Sequence, residues 1–67
     1  MEIQGYKNVL NFVRNFINEH GFSPSIREIG AGVGVNSTSQ VDFYLKGLEE
    51  DGKIRRTRLV ARSIVLI

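Results

Sequence analysis

Cysteine is absent from this chain of 67 residues, tryptophan is absent too, and proline and histidine occur once each. Without thiols there is neither a disulfide staple nor a thiolate zinc site. His20 alone builds no metal site, and no carboxylate stands at a recognisable ligand spacing from it, so neither a metal nor another cofactor is expected. Long apolar runs are also missing. The longest, Ile64 to Ile67, is four residues, against the roughly 20 that cross a bilayer. The opening Met-Glu-Ile-Gln-Gly has no basic stretch followed by an apolar one, which leads to the expectation of a cytoplasmic protein without a membrane partner. A chain this short forms one domain, spanning 1–67, and buries only about 60% of the surface that its unfolded form exposes. Its stability has to come from one tight apolar core, from self-association, or from both.

Charge of one sign is missing where it counts. Residues 1–51 hold all seven acidic side chains and four basic ones, a net −3, whereas residues 52–67 hold five basic side chains and no acid, a net +5. A basic end on a near-neutral body suits a polyanionic partner met by that end.

What is present is helical periodicity, then a switch to β-branched residues. Tyr6, Val9, Leu10, Val13, Phe16 and Ile17 recur at three- and four-residue spacing, which predicts an amphipathic helix over about Gln4 to Glu19 that stops before Gly21. After Pro24, the pair Ser25 and Glu28 forms a capping box that opens a short helix with Ile26, Ile29 and Val33 inside. Gly30, Gly32 and Gly34 weaken and end it. Ser37 and Gln40 form a second box, followed by an inner stripe of Val41, Tyr44, Leu45 and Leu48 that runs to Gly52. Two capped helices joined by a few Gly-rich residues read as a helix-turn-helix, and the first helix closes the core. Lys53–Arg56 and Ser63–Ile67 read as two strands of a hairpin, the wing. The fold class predicted is α+β, mainly α: a three-helix domain with a two-stranded β-wing, a winged helix.

The stretch GFSPSIREIGAGVGV, then NSTSQVDFYLKGLEEDGKIRR, then the arginine of ARSIVLI resembles the N-terminal DNA-binding domain of the LexA repressor family. The most specific parts are Pro24-Ser25-Ile26-Arg27-Glu28-Ile29-Gly30, Leu45 with Leu48-Glu49, and Gly52 with Ile54. The resemblance covers nearly the whole chain. It implies a bacterial or phage-encoded, nucleoid-associated repressor module of the SOS (DNA-damage) response that binds a palindromic operator in double-stranded DNA, with a homodimer on the DNA. It also places the family's recognition positions on Ser37, Ser39, Gln40, Asp42 and Phe43. The family's second half, with its Ser/Lys self-cleavage dyad, has no counterpart here, so the chain reads either as an excised domain or as a free-standing small regulator. Asp42 and Phe43 are unusual in a DNA-reading helix, so the family's operator sequence does not transfer.

The same face follows from geometry. At about 100° per residue, Asn36, Ser39, Gln40 and Phe43 point away from Val41, Leu45 and Leu48. Gln40 suits adenine, Ser39 any base, Asp42 the cytosine amino group and Phe43 a thymine methyl. Ser37 at the helix start suits a phosphate. Arg55, Arg56, Arg58 and Arg62 of the wing are candidates for phosphate contacts, with Arg58 or Arg62 alternatively entering a narrow minor groove. Arg27 is a further backbone candidate. The plainer alternatives are that Ser37 and Gln40 only cap, that Arg27 is a solvated helix residue, and that the wing cations only guard a strand edge.

Two other classes of function fare worse. Gly30-Ala31-Gly32-Val33-Gly34 lacks the third glycine of a dinucleotide loop, since position 35 is Val35, and no strand precedes it. No nucleophile–base pair is visible and the chain is too short for a substrate cleft, so no enzyme is expected. His20, at the end of the first helix, suits the helix dipole. A winged-helix protein–protein interaction module is the competing reading, and a surface of Phe43, Leu59 and Val60 would serve it.

Overall fold

The computed structural model describes residues 3–67. Three helices, α1 (Ile3–His20), α2 (Ile26–Val33) and α3 (Thr38–Glu50), precede two short strands, β1 (Ile54–Arg55) and β2 (Val65–Leu66). The strands pair antiparallel, with Ile54 opposite Leu66 and Arg55 opposite Val65. This is the predicted winged-helix arrangement. Both strands are shorter than the β-branched runs suggested: just outside the ladder, Ile64 gives its N–H to Ser23 Oγ and Arg56 turns its side chain to α3.

The helix ends are set locally. Gly21 takes a left-handed backbone and its N–H donates to Ile17 O at 2.8 Å, closing α1. Ser25 and Glu28 make the full reciprocal box at the start of α2. Past the end of α3, Gly52 N–H donates to Glu49 O and Lys53 N–H to Leu48 O, both at 3.0 Å. Gly52 has φ +74. These paired bonds make a Schellman motif, which aims the chain directly into β1.

One core joins all elements. Val9 and Val13 of α1, Ile29 of α2, Val41, Tyr44, Leu45 and Leu48 of α3, and Ile54 and Ile64 of the wing are buried together. Ile54 and Ile64 are what fasten the hairpin to the helices. Four glycines admit close approach: a Cβ on Gly5 would strike the Tyr44 ring, one on Gly47 the Tyr6 ring, one on Gly32 the Phe12 ring, and one on Gly30 would lie 2.7 Å from Val35 O. The Gly30–Val35 contact sets the tightness of the turn between α2 and α3.

Candidate nucleic-acid interface

The orientation of α3 decides what the domain offers to a partner. Val41 and Leu45 are completely buried and Leu48 nearly so, while Ser39 and Gln40 are exposed and Phe43 is 52% exposed. The outward face expected from periodicity is therefore the observed one. Gln40 N–H donates to Ser37 Oγ at 3.2 Å. The second capping box is only half formed: among the described residues no return bond from the Gln40 side chain to Ser37 accompanies it, and Gln40 is exposed. Phe43 is not wholly free. Its ring lies 6.3 Å from Tyr6 and 6.0 Å from Tyr44, so a fixed part of its edge projects.

Beside this face runs a groove of about 810 Å³ between the start of α2, the side of α3 and the wing loop. Its lining includes the exposed cations Arg27, Lys46 and Arg58, together with the acids Asp42 and Glu49 and the apolar Leu59 and Val60. Arg27 and Arg58 make no ion pair among the described residues, and Lys46, 69% exposed, pairs only with Asp42 at 3.3 Å along the helix. An exposed pair of this kind is weak. Lys46 was not among the sequence candidates. Its position one turn beyond Asp42, and seven residues from Ser39 on the same face, was the available signal. Arg55 is exposed on the strand face opposite Arg56 and does not line the groove.

Three of the expected contact residues make ion pairs within the protein. Arg56 is only 14% exposed; its Nε donates to Glu49 Oε1 and its Nη2 to Asp42 Oδ1, each at 2.7 Å. Arg56 and Asp42 thus meet each other, whereas the sequence reading had assigned one to a phosphate and the other to a base. Glu49, which had no assigned role, is the third member. Arg62 is turned toward α2: it donates to Ser23 O at 3.2 Å, pairs with Glu28 at 2.8 Å and lies over the Phe22 ring. Arg62 adopts φ 53, and the left-handed kink is what swings its side chain inward. The wing loop is further tied by Ser63, whose Oγ accepts from Thr57 N–H at 3.0 Å, and by Ile64 N–H, which donates to Ser23 Oγ at 3.1 Å. Leu59 at the loop tip is 97% exposed.

The ion pairs leave a pH signature. A hydrogen bond from Arg56, joined by one from Lys46, holds the Asp42 carboxyl below the ordinary carboxylate range against the opposing effect of burial. The Arg62 hydrogen bond and the Ser25 backbone N–H do the same for Glu28. A depressed folded-state pKa stabilises the fold above the unfolded value and ceases to do so as pH falls through the folded one. Urea midpoints are expected to drop as pH falls through and below the carboxylate range. Asp42→Asn is expected to flatten that drop, and an unaltered pH profile for Asp42→Asn would contradict this assignment.

Among the described residues no helix is long and apolar enough to cross a membrane, and no cluster of three or more His or acidic side chains could hold a metal. The chain is similar to LexA repressor 1 of Nocardia farcinica, at 47% identity over 58 residues, covering 87% of this chain and 27% of that protein. It is also similar to the LexA repressor of Carboxydothermus hydrogenoformans, at 39% over 61 residues (91% and 30%). The LexA repressor of Clostridium botulinum matches at 43% over 65 residues, 97% of this chain and 32% of that one. The chain therefore spans about a third of the length of these curated relatives. The family model for the LexA DNA binding domain matches residues 4–63, which takes in all three helices and the wing loop, and the chain belongs to the LexA DNA-binding domain family.

Proposed function

We propose that this domain is a sequence-specific reader of double-stranded DNA and acts as a repressor module. The observation that carries the reading is the pairing of an exposed polar face on α3, made by Ser39 and Gln40, with a groove beside it lined by Arg27, Lys46 and Arg58. A recognition helix offers its N-terminal residues to base edges in the major groove while cations hold the backbone. Gln40 has the bidentate geometry for adenine, Ser39 bonds either base type, and the projecting edge of Phe43 suits a thymine methyl. Ser37 and the start of α3 suit a phosphate. Arg27, Lys46 and Arg58 supply the backbone contacts, with Arg55 reaching a phosphate only from the far side of the wing.

One domain offers few contacts, so useful affinity needs two copies on half-sites about one helical turn apart, which matches a palindromic operator and a homodimer on the DNA. Membership of the LexA DNA-binding domain family supports extending the reading to a non-catalytic role in control of damage-response genes, in a bacterial or phage setting, in cytoplasm at the nucleoid. The competing protein-docking reading has less to support it: Phe43 shares a shallow hollow with Ile26, Thr38, Ser39, Asp42 and Lys46, whereas Leu59 and Val60 line the neighbouring groove, so the three apolar residues do not form one hollow.

The test is a fluorescence-anisotropy titration of duplex DNA about 20 base pairs long, two helical turns, over a range of salt. Binding at low salt with a log–log slope of about −0.9 per neutralised phosphate is expected. Failure to bind any duplex at low salt would overturn the proposal.

A further inference from the structure

Arg56 sits where the chain passes from β1 into the wing loop, and its guanidinium reaches two acids spaced two turns apart on one side of α3. Asp42 takes Nη2 and Glu49 takes Nε, both at 2.7 Å. A planar fork with donors in fixed directions is suited to bridging two carboxylates. With only 14% of its side chain exposed, Arg56 has little reach toward an external phosphate. The strand pairing here is only two residues long, too short to fix a hairpin by itself. Beyond the buried Ile54 and Ile64, the wing is held to the helices at two places: Arg62 and Ile64 bind the segment around Ser23 and Glu28, and Arg56 binds α3 itself.

We propose that Arg56 is a positioning residue for DNA binding: through Asp42 and Glu49 it braces the wing against the recognition helix, so that Arg58 and the exposed face of α3 meet the duplex as one rigid surface. This rests on the DNA-reading function proposed above and deepens it. It also turns Asp42 from base reading to bracing, since its Oδ1 accepts from Arg56 at 2.7 Å, and leaves base choice to Ser39, Gln40 and Phe43. A brace fixed in the free protein removes the ordering cost that a loose wing would incur on binding.

The brace and a direct phosphate contact differ in what salt and charge removal do. The probe is the parent domain and its variants with one duplex about 20 base pairs long, with folding verified by circular dichroism. Arg56→Met is expected to weaken binding about tenfold, the size of a typical coupling between two linked contacts, with the salt slope unchanged. A phosphate-contacting arginine would instead lose about 0.9 from that slope, as Arg58→Ala is expected to do. Glu49→Ala gives the sharper sign. Removing an acid near DNA should tighten binding if charge alone matters, whereas loss of the brace weakens it. The penalty of Arg58→Ala should also shrink in the Glu49→Ala background, because an unbraced wing no longer delivers Arg58; a change in fold stability alone would not alter that penalty. Should Arg56→Met fail to fold, the Glu49→Ala arm decides. A reduced slope for Arg56→Met, or unchanged or tighter binding by Glu49→Ala, overturns the brace while duplex binding by the parent stands. If the parent binds no duplex, the DNA reading falls and the brace with it.

Discussion

Leu45→Ala is expected to remove a large share of the domain's stability and lower its melting temperature by more than about 10 °C. Leu45 is completely buried at the centre of α3 and belongs to the single cluster that joins α1, α2 and the wing. Truncating such a side chain costs about 2–5 kcal/mol, made up of lost transfer energy and the cavity left behind. A chain of 67 residues has only about 3–10 kcal/mol in total. There is no disulfide or thiolate metal site to share the loss, because the sequence holds no cysteine. Thermal melts followed by circular dichroism check this. A folded Leu45→Ala domain within a few degrees of the parent melting temperature would show that the core is held elsewhere.

The second large effect concerns the groove cations. Arg27→Ala combined with Arg58→Ala is expected to weaken duplex binding about a hundredfold at low salt, at roughly 1.4 kcal/mol for each lost charged contact. The salt slope should become shallower by about 1.8. The two residues come from different elements, α2 and the wing, and both are exposed and without an ion pair among the described residues. Their removal therefore disturbs little within the protein. The loss should be similar for all DNA sequences, since phosphates carry no base information. Anisotropy titrations of parent and double variant on two unrelated duplexes check both points. An unaltered slope would place the phosphate contacts elsewhere.

Much of this surface was legible before any coordinates. The period of 3.6 in α3 could bury Val41, Leu45 and Leu48 only by turning Ser39, Gln40 and Phe43 out, because a short helix packed on one side has one inner stripe. The capping boxes marked helix starts for the same local reason: Ser25 and Ser37 each accept the backbone N–H three residues on. What periodicity could not provide was the partner of each charged side chain. Arg56 looked like its neighbours in a run of arginines, yet Arg55 is exposed at the end of β1, whereas Arg56, just past the strand, is held toward α3 by Glu49 and Asp42. Glu49 opposes the helix dipole, which made it puzzling from sequence, and only the returning chain supplies the cation that explains it. Arg62 required the left-handed kink in the wing loop, a conformation that a non-glycine residue rarely signals. The ends of the strands were read too long because β-branched composition reports a tendency for extended backbone and not where a ladder stops.

The measurement that bears most directly on the central claim is selection of bound sequences from a random duplex pool by the parent and by Gln40→Ala. The account predicts that the parent enriches a defined half-site, and that Gln40→Ala relaxes the preference at one position by about 1–3 kcal/mol while leaving the rest of the half-site and the salt slope intact. Identical sequence preferences for parent and variant, or an altered salt slope with no change in preference, would contradict the claim that the exposed face of α3 reads base edges.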